Sequence, residues 1–350
     1  MSKLFEPIIA KGMTLKNRVV FPPIATNYGL RNDRAREYYT ERARGGAGLV
    51  ILQGTPVDPF ASEKWVSGLK PLVDAVHENG AAIGVQLWMG DEMPNGEKVA
   101  PSATEECREI TTDELEELAQ KFAVAAHAAR DIGFDTINVH GAHGYFLHQL
   151  FSPLTNMRKD RYGGSLERRM TFGLECVRVI REAVGESYPI MYRLSAIEYT
   201  SGGIKLEDST AFAAKLQDAG VDILDVSAGS RTEEAKMTIP DADQPHGTHV
   251  GLASAVKKAV DVPVVAVGRL HTREACEEVL DQGKADLIAV GRQLLTDPYW
   301  PNKLKEGRDD EIVECISCNV KCTGNLDKGE PIGCVLNDEV GQEYLRYQQK

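Results

Sequence analysis

The chain has 350 residues, of which 42% are hydrophobic and 26% charged, enough to bury a sizeable core as one large barrel or as two ordinary domains. Its formal net charge of -12 argues against a nucleic-acid partner, because neutralising phosphates takes clustered Lys and Arg. Residues 1–7 lack a basic region followed by an apolar stretch, and no later apolar run is long enough to cross a bilayer, so no membrane association and a cytoplasmic location are expected.

Apolar or β-branched runs recur along the chain at 19–24, 48–53, 82–87, 136–140, 190–194, 223–227, 264–267 and 287–290. Helix-like segments lie between them. The one at 111–132 opens with a capping-box pattern, Thr111 and Glu114, and the one at 272–282 is closed by Gly283. Eight strands alternating with helices predict an α/β fold, a (β/α)8 TIM barrel, in preference to an open doubly wound sheet. No GxGxxG pattern follows any of the runs, which also counts against the open sheet. After about residue 301 the alternation stops and a charged stretch, 303–311, leads into a cysteine cluster. The expected division is a barrel over 1–305 and a short C-terminal extension over 306–350.

In such barrels chemistry sits at the C-terminal strand ends. The third run ends with Gln86, the fourth leads into His140, His143 and Tyr145, the fifth carries Arg193, and the last two end at Gly268-Arg269 and Gly291-Arg292. Glycine lets backbone N–H groups approach an anion, so the paired Gly-Arg ends read as a phosphate site. Imidazole N–H groups can polarise a carbonyl oxygen while a phenol supplies a proton, so His140, His143 and Tyr145 read as an acid-base group. Of seven cysteines, Cys107, Cys176 and Cys276 are scattered, whereas Cys315, Cys318, Cys322 and Cys334 follow a CxxCxxxC spacing with a fourth member after eleven intervening residues. Such crowding in a reducing compartment favours metal, as an iron-sulfur cubane or a four-cysteine zinc site.

Several segments together resemble the Old Yellow Enzyme family of FMN-dependent ene reductases. They are Asn17 through Pro23, His140 through Tyr145, Ser152-Pro153, Asn156, Arg158, Asp160, Tyr162 through Ser165, and Ala285 through Arg292. The resemblance implies that Pro23, Ile24 and Ala25 pack on the flavin, that Gly54 and Gln86 bond its pyrimidine edge, and that Arg193 lies near N1. It implies further that Gly268, Arg269, Gly291 and Arg292 hold the phosphate, that His140 and His143 bind the substrate oxygen, and that Tyr145 is the proton donor. Ala25 stands where many relatives carry a Thr or Cys that tunes the flavin, and Thr26 is not assumed to replace it. The segments 55–70 and 89–99 are shorter than in many relatives, which suggests a more open substrate mouth.

The cysteine tail is similar to that of 2,4-dienoyl-CoA reductase and trimethylamine dehydrogenase, larger relatives with a 4Fe-4S cluster after the barrel, and the resemblance implies the same cluster on Cys315, Cys318, Cys322 and Cys334. The function expected on these grounds is reduction of a C=C bond in an enone, enoate or enoyl thioester, with NADH, NADPH or a separate redox protein as electron source. An amine dehydrogenase of the trimethylamine dehydrogenase type and an electron-transfer flavin/iron-sulfur subunit are the alternatives. A homo-oligomer is expected.

Overall fold

The computed structural model describes residues 2–230 and 237–347; residues 1, 231–236 and 348–350, which the expected barrel and extension include, lie outside the described residues. Eight parallel strands close into a barrel: β1 (Val19–Phe21), β2 (Leu49–Pro56), β3 (Ala82–Trp88), β4 (Thr136–Gly141), β5 (Ile190–Ser195), β6 (Ile223–Ser227), β7 (Val264–Ala266) and β8 (Leu287–Ala289). The circle is completed where Ile288 pairs with Val19 and Ala289 with Val20. The (β/α)8 barrel read from the sequence is the observed fold. Strand β1 is shorter than the apolar run that announced it, because Pro22 and Pro23 have no N–H to give to a ladder.

The helix Thr112–Asp131 starts as its sequence dictates: the Thr111 hydroxyl accepts from the Glu114 N–H, the Glu114 carboxylate accepts from the Thr111 N–H, and both halves of the capping box are present. Its buried Leu115, Leu118, Phe122, Ala125 and Ala129 form one stripe at helical spacing against the barrel wall. Thr272 likewise caps the helix Arg273–Asp281 by accepting from the Ala275 N–H.

The N-terminal end of the barrel is stoppered by a hairpin too short to show as a periodic pattern. Ile8–Ala10 pairs antiparallel with Met13–Leu15 around Lys11 and Gly12, both at positive φ. Ala10, Met13 and Leu15 pack with Val20, Leu49, Ile51, Met191, Ile223, Val265 and Leu287, most of them at the starts of their strands, to form a dry apolar cluster. No helix of the described residues is long and apolar enough to cross a membrane.

Beyond the helix Trp300–Glu306 the chain returns over the barrel. The Tyr28 hydroxyl donates to Ile332 O at 2.7 Å, and the Ile332 N–H donates to Thr26 O at 3.0 Å. Ile332 and Val340 join the same apolar cluster as the barrel and its helices. Further on, Glu343 places a carboxylate oxygen 2.5 Å from the guanidinium of Arg42, with both side chains almost fully buried.

Candidate active site

Parallel register assembles the floor of the site. Gly54 pairs with Gln86, Gln86 with Asn138, and His140 with Arg193, which pairs with Asp225. Paired residues share a face, and a period of two returns His140 to the face of Asn138. A buried polar chain results: Gln86 Nε2 donates to Asn138 Oδ1 at 3.0 Å, Asn138 Nδ2 to Asp225 Oδ2 at 3.3 Å, and Arg193 Nη1 to the same oxygen at 3.0 Å. Burial raises the Asp225 carboxyl above its ordinary value against the opposing pull of Arg193 and Asn138. Gly54 sits where the ladder shifts register. A Cβ there would come within 2.9 Å of the Trp88 indole, so only glycine fits beneath that ring.

Above this floor His140, His143 and Tyr145 stand together. The His140 ring centroid is 5.2 Å from that of His143 and 4.9 Å from that of Tyr145, which packs on Trp88 at 5.1 Å. His143 has a φ of 62°, held there by its N–H donating to Ser195 Oγ at 3.0 Å. Its Nε2 lies 2.8 Å from Ser227 Oγ. Burial first, then the Arg193 cation, push both imidazoles well below their usual range, so both are neutral near neutrality. Behind them the short helix Phe146–Phe151 is fixed by His148 Nε2 against Glu198 Oε1 at 2.9 Å and by Ser152 Oγ donating to Glu198 Oε2 at 2.7 Å.

The phosphate-like end lies at β7 and β8. Gly268 has a φ of +113°, and a Cβ there would meet the His249 backbone nitrogen at 3.0 Å. Arg269 Nη1 donates to Ala242 O at 2.8 Å. Arg292 Nη2 donates to Pro240 O at 2.8 Å and its Nη1 to Asn319 Oδ1 at 2.6 Å.

Every barrel residue singled out from the sequence, from Pro23, Ile24 and Ala25 through Gly54, Gln86, His140, His143, Tyr145 and Arg193 to Gly268, Arg269, Gly291 and Arg292, lines one cavity of about 430 Å³. That volume is in the range of cofactor sites. Its wall also holds buried polar atoms without a partner among the described residues: Trp88 Nε1, His140 Nδ1, Arg193 Nε, Thr238 Oγ1, Arg269 Nε and Ser317 Oγ. Buried polar atoms are ordinarily satisfied, so this ring of donors fits a polar, anionic planar group such as FMN. Thr26 is spoken for, since its hydroxyl donates to Gln53 Oε1 at 2.7 Å.

Cys315 and Cys322 border this cavity, and all four of Cys315, Cys318, Cys322 and Cys334 line a smaller neighbouring cavity together with Arg292. The segment is pinned by the Cys315 N–H donating to Gln293 Oε1 at 2.8 Å and by Asn337 Nδ2 donating to Leu295 O at 2.8 Å. The Leu336 N–H points at Cys334 Sγ at 3.4 Å.

Sequence reasoning passed over Asn138, Asp225, Ser227 and Trp88. For Asn138, Asp225 and Ser227 the signal was a polar residue inside an apolar strand run, since a buried polar side chain in a barrel strand needs a partner or a ligand.

A closed parallel barrel with a donor-lined cavity at its C-terminal face places the chain among TIM barrels that carry a cofactor-sized site at the strand ends. Comparison with known proteins makes the family definite: residues 3–311 match the NADH:flavin oxidoreductase / NADH oxidase family, and the chain belongs to that family. It is 42% identical to the NADH oxidase of Thermoanaerobacter brockii over 95% of this chain and 55% of that protein. A 2-naphthoyl-CoA reductase in complex with 2-naphthoyl-CoA has a TM-score of 0.92 at 30% identity, covering 98% of this chain and 58% of its own. Histamine dehydrogenase from Rhizobium sp. 4-9 has a TM-score of 0.88 at 28% identity, covering 97% of this chain and 53% of its own. The chain thus spans a little over half the length of these relatives.

Proposed function

We propose that the chain reduces a C=C bond conjugated to a carbonyl, in an enone, enoate or enoyl thioester. The observation that carries this reading is the wall where neutral His140 and His143 stand beside Tyr145, with His140 Nδ1 lacking a protein partner. FMN bound in the cavity would supply the hydride to the β carbon, having received it from NADH, NADPH or a protein donor. His140 and the Nδ1 edge of His143, whose Nε2 is committed to Ser227, would donate to the carbonyl oxygen as it gains enolate charge. Tyr145 would give the proton to the α carbon. Arg193, aimed by Asp225, would place its free Nε beside the flavin pyrimidine, where a fixed cation favours the anionic reduced ring. Arg269 and Arg292 would hold the phosphate.

The neighbouring cavity would hold a 4Fe-4S cluster on Cys315, Cys318, Cys322 and Cys334, supplying a one-electron route to the flavin. The CxxCxxxC spacing, the shared cavity and the Leu336 N–H on Cys334 Sγ suit a cubane with hydrogen-bonded sulfur. Amine oxidation is the second reading, favoured by the likeness to histamine dehydrogenase.

Anaerobic half-reactions test these readings. Tyr145→Phe should slow oxidation of the reduced flavin by an enone or enoyl thioester by about 100-fold or more, while leaving flavin reduction nearly untouched; equal slowing of both makes the residue structural. Flavin reduction by methylated amines or histamine, with no oxidation by any conjugated alkene, replaces ene reduction with amine oxidation. A flavin that cycles only with a protein donor and acceptor makes the chain an electron-transfer subunit. For the cluster, Cys318→Ala should abolish reduction by a ferredoxin-like donor, while chemically reduced flavin still turns over; zinc instead of iron on analysis returns the cysteines to a structural clasp.

A further inference from the structure

Three side chains from separate segments converge at the rim where the flavin cavity meets the cysteine segment. His271, just beyond β7, is buried and lines the cavity. Its ring lies on that of His246 with centroids 4.5 Å apart, and its Nε2 is 3.3 Å from Glu314 Oε1. One ligand atom from each of His246, His271 and Glu314 lies within 4.8 Å of the other two.

Two imidazole nitrogens and one carboxylate oxygen are the donor set of a borderline divalent cation such as Zn²⁺, Co²⁺ or Ni²⁺, whereas Mg²⁺ and Ca²⁺ call for shells of six or more oxygens. Bonds of 2.0–2.1 Å in a tetrahedral shell put ligand atoms about 3.4 Å apart. The His271–Glu314 pair already has that separation. The exposed His246 and Glu314 have freedom to close the rest. The solvent side stays open for a fourth ligand. Arg269 and Arg292 do not draw the Glu314 carboxylate away, since they donate to Ala242 O, Pro240 O and Asn319 Oδ1.

We propose that His246, His271 and Glu314 form a binding site for a divalent transition-metal ion, separate from the four cysteines. Because Glu314 immediately precedes Cys315, an ion held there fastens the cysteine segment to the end of β7.

The test is anaerobic titration calorimetry of Zn²⁺ into the protein loaded with its own cofactors, with metal analysis after gel filtration. The wild type should retain one Zn²⁺ per chain at this site, undisturbed by excess Mg²⁺. His246→Ala and Glu314→Gln should each weaken that event by about tenfold or more. Both alter exposed side chains, so neither endangers folding. Absence of the event in the wild type, or its persistence at unchanged affinity in both variants, overturns the proposal.

Discussion

The two ends of the barrel are built on opposite principles. At the N-terminal end the hairpin residues Ala10, Met13 and Leu15 close a dry cluster without a polar side chain. At the C-terminal end the cavity wall carries polar atoms that the described residues leave unpaired, among them His140 Nδ1, Arg193 Nε and Arg269 Nε. An unpaired buried donor costs about 1–3 kcal/mol. The lesson is that the stability lost in keeping such donors ready is offset at the other end, where nothing but packing is asked of the residues.

The sharpest way to break this division is Leu15→Ala. Leu15 is fully buried, so the substitution should destabilise the fold by about 2–5 kcal/mol, read as a lower denaturation midpoint at unchanged m-value, while flavin affinity of the folded protein stays the same. A large change in flavin affinity would mean that the ends are mechanically coupled. The converse is Arg292→Ala, which should weaken FMN retention about 10- to 100-fold through loss of a charge-assisted contact and alter the denaturation midpoint far less than Leu15→Ala. Undiminished flavin occupancy would remove Arg292 from the phosphate site.

The smallest effect probes neither end but the helix wall between them. Hydrogen bonds from Arg108, then from the Thr111 backbone, hold the Glu114 carboxyl down at about 2. A depressed folded value stabilises above the unfolded one, near 4.3, and that stabilisation fades as pH falls from there through about 2. The group is largely solvated, so the loss is a few tenths of a kcal/mol. Glu114→Gln should flatten the stability profile between those pH values by that amount, and an unaltered profile would show that Glu114 carries no such linkage.

What the sequence made legible follows from how locally each feature is encoded. Eight strands were readable because each is an apolar run punctuated by turns, and the capping box of Thr111 and Glu114 declared its helix outright. The hairpin Ile8–Ala10 with Met13–Leu15 was not, since three residues per strand show no period. At the site, His140, Arg193 and the Gly-Arg ends were visible because they interrupt apolar strand ends. Their supports were not: Asp225 reaches Arg193, and Asn138 reaches Gln86, only through cross-strand register. Ser227 likewise meets His143 across 84 residues, a pairing that no local pattern announces. Thr26, which nothing in the sequence placed in a flavin-tuning role, is held instead by its hydroxyl bond to Gln53 Oε1.

The buried pair of Arg42 and Glu343 joins positions 301 residues apart. Arg42, in the helix Asp33–Arg44, therefore meets its counter-ion only after the barrel strands between them have been made. Contacts of such long sequence separation form late and slowly, and until this one forms the guanidinium is a buried charge without its ion partner, an expensive state. Docking of the segment that carries Glu343 is thus a lock that follows closure of the barrel. The cysteine segment lies between that lock and the helix Arg292–Thr296, so it is a loop closed at both ends and cannot fray like a free arm.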